Sequence, residues 1–196
     1  MISLLNNSEV MEIFRNGLTD DIPNFSDLNC KKILIKFKPN SLTELCAIYS
    51  LNRNGIEQNL GKYYDNRLSD TNIKYIYPIL EHHLRETFGI IIYSEQVEYV
   101  LQDLANISMT ESYKIRKELG KRNVTALKDY FIEFENGCLK NQEFLKSCQI
   151  LHKDIRKSIS EIWDLLQDST NDTISFAYVL KCVSESYFQA LEITRK

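Results

Sequence analysis

Two occurrences of one four-residue pattern, Ser41-Leu42-Thr43-Glu44 and Ser108-Met109-Thr110-Glu111, constrain this chain more than any other feature of it. In each, the serine oxygen can accept the amide hydrogen of the glutamate while the glutamate reaches back, which satisfies two orphan amides of a starting helix together. Apolar residues at helical spacing follow both patterns: Leu42, Leu45, Cys46 and Tyr49 after the first, Ile115 and Leu119 after the second. The same periodicity runs from Ser8 to a stop at Gly17 and from Leu28 to Phe37 before Pro39. It resumes from Pro78 to Thr87 before Gly89, over 94–105, from Ala126 to Gly137, from Gln142 through Trp163 with a break near residue 153, and over 174–191. Six glycines and three prolines are too few to punctuate an all-β protein. The expected fold is therefore mainly α and multi-helical, with long loops and at most a short extended segment at Ile90–Ile92. The 196 residues are expected to form one module, open to subdivision as 1–55, 56–137 and 138–196.

The longest interruption of the helical pattern is the polar stretch from Asn54 to Tyr77, which reads as a functional or flexible loop. It interleaves Tyr63, Tyr64, Tyr75 and Tyr77 with Lys62, Arg67 and Lys74. Such tyrosines either form a platform on which single-stranded bases stack or anchor the loop to the core, and the pattern fits both.

A formal net charge of -3 excludes a surface that is basic throughout, so any nucleic-acid contact must be local. The one dense cluster of cations is Lys114, Arg116, Lys117, Lys121 and Arg122, straddling the end of the helix that starts after Ser108. Cations there suit phosphate oxygens and also suit the negative end of a helix. Five cysteines, widely spaced and without a CxxC pair, read as reduced thiols of a cytoplasmic protein. No run approaches the roughly 18 apolar residues of a membrane span, and no basic segment with an apolar run opens the chain. The adjacent His82 and His83 project about 100° apart on a helix and do not form a two-ligand metal face.

Four blocks occur in one order: Leu51-Asn52-Arg53-Asn54-Gly55; Leu84-Arg85-Glu86-Thr87-Phe88-Gly89-Ile90-Ile91-Ile92-Tyr93-Ser94-Glu95-Gln96-Val97; Ile115-Arg116-Lys117-Glu118-Leu119-Gly120-Lys121-Arg122; and Ile162-Trp163-Asp164-Leu165 leading to Ser175-Phe176-Ala177-Tyr178. Together they resemble the fingers region of the bacterial DNA polymerase III alpha subunit. That family reads Leu-Tyr-Arg-Pro-Gly-Pro, Leu-x-Glu-Thr-Tyr-Gly-Val-x-x-Tyr-Gln-Glu-Gln-Val, Leu-Arg-Arg-Ala-Met-Gly-Lys-Lys and Asn-Lys-Ser-His-Ser-Ala-Ala-Tyr at the matching places. Weaker similarity reaches Phe14-Arg15-Asn16-Gly17 and Tyr187-Phe188-Gln189-Ala190.

The resemblance implies a role in DNA replication and phosphate contacts, to a deoxynucleoside triphosphate or to DNA, by Arg53, Arg116, Lys117, Lys121 and Arg122. It implies secondary contacts by Glu95, Gln96, Ser175 and Tyr178, and a palm-containing polymerase chain as partner, while Glu95 and Gln96 at the start of a helix also suit holding the Ile90–Ile92 connector in place. The family's metal-binding aspartates lie in the palm, upstream of the segment that matches Met1, so no catalytic residue, no metal ligand and no cofactor is expected in 1–196, Mg2+ belonging to the palm. Phosphoryl transfer needs those ions to bridge phosphate oxygens, so the chain by itself is expected not to be an enzyme. Departures from the family support a second reading. Asn54 and Ile56 replace prolines, Ser94 replaces a glutamine, and Asp172-Thr173-Ile174-Ser175 stands for Lys-Ser-His-Ser, which turns a phosphate-facing lysine into an aspartate. In that reading the fold persists as a non-catalytic structural or protein-interaction domain that has lost nucleic-acid binding.

Overall fold

The structure, a computed structural model, describes residues 7–53, 57–69, 73, 75 and 77–195. Among the described residues it is mainly helical, with eleven α-helices and no strand. Two compact units divide the chain as 1–68 with 174–196, and 69–173, bounds that differ from a linear subdivision because the last helix returns to the first unit. Among the described residues no helix is long and apolar enough to cross a membrane. Asn54, Gly55, Ile56 and Lys74 lie outside the described residues.

The first unit holds α1 (Ser8–Arg15), α2 (Leu28–Phe37), α3 (Leu42–Leu51), α4 (Glu57–Leu68) and α11 (Phe176–Ile193), with α11 packed on α3 and α1. Asn7 caps α1, its side chain accepting the amides of Glu9 and Val10. Gly17, at φ 66°, closes the helix as the periodicity predicts: its amide donates to Phe14 and that of Leu18 to Ile13. Ser41 caps α3 by accepting from the Glu44 amide at 3.2 Å, but Glu44 reaches back to the amide of Asn40 rather than Ser41. Phe14 packs edge-on to Phe25 and stacks on Tyr187, whose hydroxyl accepts the Asn7 amide.

Helix α4 corrects the loop expected over 54–77. Leu60, Tyr63 and Tyr64 stand at i, i+3 and i+4, so an apolar stripe is present but is carried by tyrosines. Tyr63 is fully buried and stacks on Phe37, Tyr64 packs on the same ring at 4.6 Å, and Lys36 lies over Tyr64. Arg67 grips Glu44 through two hydrogen bonds, Nε to Oε1 at 2.6 Å and Nη2 to Oε2 at 3.0 Å, and that carboxylate raises the guanidinium pKa further. In the second unit Tyr77 is buried and donates to Glu161, with Tyr75 packed at the edge of the core. Tyr63, Tyr64, Tyr75 and Tyr77 are anchors, and their rings are spent on packing.

The second unit contains α5 (Glu81–Leu84), α6 (Ser94–Ala105), α7 (Met109–Lys121), α8 (Val124–Cys138), α9 (Gln142–Ile150) and α10 (Ile155–Thr170). Pro78 opens a 3-10 turn that leads into α5, and a second such turn follows it, so the segment expected as one helix is three short pieces. Helix α6 is central, packed against α5, α7, α8 and α10. Its Val97, Val100, Leu101 and Leu104 face Ile115 and Leu119 of α7, Phe134 of α8 and Ile162 and Leu166 of α10 in one core. The break expected near residue 153 falls at Leu151–Asp154, where His152 takes φ 51°.

Two glycines lie inside helices, Gly120 in α7 and Gly137, where the periodicity places a stop, in α8. Gly120 is followed by Lys121, and Arg122 takes the left-handed cap position at φ 53°. Gly137 sits in α8 where α6 crosses it: a Cβ there would lie 2.6 Å from the Ala105 Cα and closer still to its carbonyl oxygen. Backbone cannot yield as a flexible side chain can, so only glycine fits. Gly137→Ala is expected to lose about 3 kcal/mol of stability despite its better helix propensity, measured as a lower urea midpoint.

Candidate phosphate-contact site

The basic end of α7 is assembled from local rules. Ser108 caps the helix through the Glu111 amide at 3.2 Å, as the capping pattern predicts, while the Glu111 carboxylate pairs with Lys114 at 2.9 Å instead of reaching back. The helix ends at a two-residue turn, Arg122-Asn123, before α8 begins. The Arg122 amide donates to Leu119, and the Asn123 side chain donates to Glu118 and accepts the Ala126 amide. A left-handed arginine costs on the order of 1–2 kcal/mol relative to glycine, and these bonds over-determine the turn.

The five cations differ sharply in what they face. Arg116 is bound through Nε to Glu98 of α6 at 2.6 Å, with only 20% and 16% of the two side chains exposed. Lys121, itself 66% exposed, pairs with the half-buried Glu118 at 2.6 Å, and hydrogen bonds from Lys121 and Asn123 hold the Glu118 carboxyl below its ordinary pKa. Lys117 and Arg122 are exposed and have no carboxylate partner among the described residues. Arg116 and Lys117 also converge on the Tyr113 ring, at 5.1 and 4.5 Å from its centroid.

Arg53, Ser175 and Tyr178 belong to the first unit. Arg53 donates from Nε to the Ser50 carbonyl at 2.7 Å, at the end of α3. Ser175 is the residue before α11, and Tyr178 is exposed on its first turn. The Tyr49 hydroxyl is pushed to a higher pKa by burial first and then by hydrogen bonds with Cys182 and Tyr178. Burial likewise pushes the thiols of Cys30, Cys46 and Cys138 up to about 12.

The profile of the bacterial DNA polymerase III alpha subunit finger domain matches residues 2–142, a span that takes in the Gln96 connector and all five cations of α7. The chain belongs to that finger domain family. It is 29% identical over 154 residues, 79% of its length, to the DNA polymerase III subunit alpha of Staphylococcus aureus, and 28% identical over 142 residues, 72% of its length, to that of Mycoplasma pneumoniae. It spans 14% and 16% of those two proteins. Ser175 and Tyr178 lie beyond the residues matched to the finger domain.

Within this finger domain Gln96 has a structural task. It is 5% exposed; its Oε1 accepts the amides of Ile92 and Tyr93 at 2.8 and 2.9 Å, and its Nε2 donates to the His83 carbonyl and the Thr87 hydroxyl at 3.0 and 2.8 Å. Both donors and both acceptor directions are used, leaving nothing for a ligand. Glu95, beside it, accepts from Ser94 at 3.1 Å in the first turn of α6. Sequence reasoning passed over Glu98 and Tyr113. The signal for Tyr113 was present, since an aromatic three and four residues before Arg116 and Lys117 shares their helix face. For Glu98 no local signal exists, because it lies on another helix. Among the described residues no group of three His, Cys, Asp or Glu side chains is placed to hold a metal ion. Gln96→Leu removes the side-chain acceptor of two buried amides and is expected to cost about 3 kcal/mol. Hydrogen exchange checks it, with Ile92 and Tyr93 the amides that lose most protection.

Proposed function

We propose that this finger domain serves DNA replication by holding phosphate, of DNA or of a deoxynucleoside triphosphate, at the C-terminal end of α7, with the catalytic carboxylates and their Mg2+ supplied by a palm. The observation that carries the reading is the exposure of Lys117 and Arg122 without carboxylate partners, beside a Lys121 whose surface pair is weak enough to exchange for phosphate. Arg116 acts here as a positioning residue, because its pairing with Glu98 ties α7 to α6. Phosphate neutralisation by two or three cations gives modest, salt-sensitive affinity, in keeping with an overall charge of -3. The match to the finger domain supports reading the chain as a module that works beside a palm.

Anisotropy of a labelled primer-template, titrated with the full chain across salt concentrations, tests this. Lys117→Gln with Arg122→Gly removes two charges while glycine keeps the left-handed turn. The expected result is about tenfold weaker binding at low salt and a slope of log K against log salt shallower by roughly 0.9 for each phosphate that is no longer neutralised. Absence of salt-dependent binding by the parent chain would leave the structural or protein-interaction reading.

A further inference from the structure

We infer that the exposed face of α7 beginning at Tyr113 binds single-stranded nucleic acid, with the Tyr113 ring stacked on a base and Lys117 and Lys121 following the strand's phosphates. The inference rests on the phosphate reading above and adds a base contact to it. Tyr113 lies outside the residues that the family resemblance assigns to phosphate contact. It is 43% exposed on a helix whose other face is core.

Three features give this exposed ring the character of a binding surface. The first is what surrounds it. Arg116 and Lys117 both lie over it, at 5.1 and 4.5 Å from its centroid, so a base stacks by displacing the exposed, flexible Lys117 side chain, whose ammonium is released to a neighbouring phosphate. The second is its rigidity. Arg116 is anchored by Glu98 at 2.6 Å, and a ring that rests against a fixed cation loses little freedom when a ligand arrives. The third is spacing. Tyr113, Lys117 and Lys121 recur every fourth residue, which advances about 6 Å along the axis and turns about 40° at each step. That forms one shallow stripe on which a base and successive phosphates of an extended strand can lie. A duplex turns its base faces inward and offers only its phosphates, so the geometry selects the single strand.

The test compares full-length chain binding to an oligothymidine and to an abasic strand of equal length, at low salt. The chain is expected to prefer the oligothymidine roughly tenfold, as stacking on one aromatic ring supplies. Tyr113→Leu, which keeps an apolar helix former, abolishes the preference while leaving the salt slope unchanged, and Tyr113→Phe retains it. Equal affinity of the parent chain for both strands, or a preference that survives Tyr113→Leu, overturns the stacking inference and leaves the phosphate reading in place. Binding of neither strand overturns both.

Discussion

The second unit depends on the approach of two helix backbones where Gly137 of α8 meets Ala105 of α6. Because no side chain intervenes, α6 can sit inside the core and be packed on several sides at once. The same crossing brings Asn141 to the end of α6, where its amide donates to the Asp103 and Leu104 carbonyls at 2.8 and 3.1 Å, satisfying acceptors the helix itself cannot. At its other end α6 is held by Gln96, whose four hydrogen bonds pin the irregular Ile90–Tyr93 segment onto the turn after α5. Thus a helix fixed at both ends presents Glu98 at a defined place, and Glu98 in turn fixes Arg116 and the Tyr113 ring.

That chain of dependence changes what a basic cluster means. Five cations within nine residues look like a uniform patch, yet three of them carry carboxylate partners: Lys114 with Glu111, Arg116 with Glu98, Lys121 with Glu118. The pairs are not equivalent. Two solvent-facing charges exchange partners at little cost, whereas the Arg116–Glu98 pair is largely removed from water, and breaking it strands a charge. In the proposed reading the cations left to phosphate are therefore Lys117 and Arg122, assisted by Lys121.

Much of the helical plan could be read from local signals. Helix α6 begins and ends at the residues its periodicity indicates, and Ser41 and Ser108 cap their helices. The reciprocal half of each capping pattern was not legible, because Glu44 and Glu111 found Asn40, Arg67 and Lys114 in competition with the serine amide. Helix α4 escaped notice because its buried stripe is made of tyrosines among polar residues, and tyrosine hides its apolar body behind a hydroxyl. Gly137 marks a stop in the sequence pattern yet lies inside α8, since a glycine required by a neighbouring backbone carries the same letter as one required by a left-handed turn.

By itself the sequence determined where the serine-capped helices α3 and α7 start, that the chain is mainly α, and which family of finger domains it joins. Those follow from interactions over three or four residues and from blocks that keep their order, both visible in one dimension. Tertiary structure alone decided which candidate site residues remain available. Glu98 stands 18 positions before Arg116, and the four partners of Gln96 lie up to 13 positions away. Whether such groups meet is set by how helices cross, and no local pattern names the neighbour across a crossing.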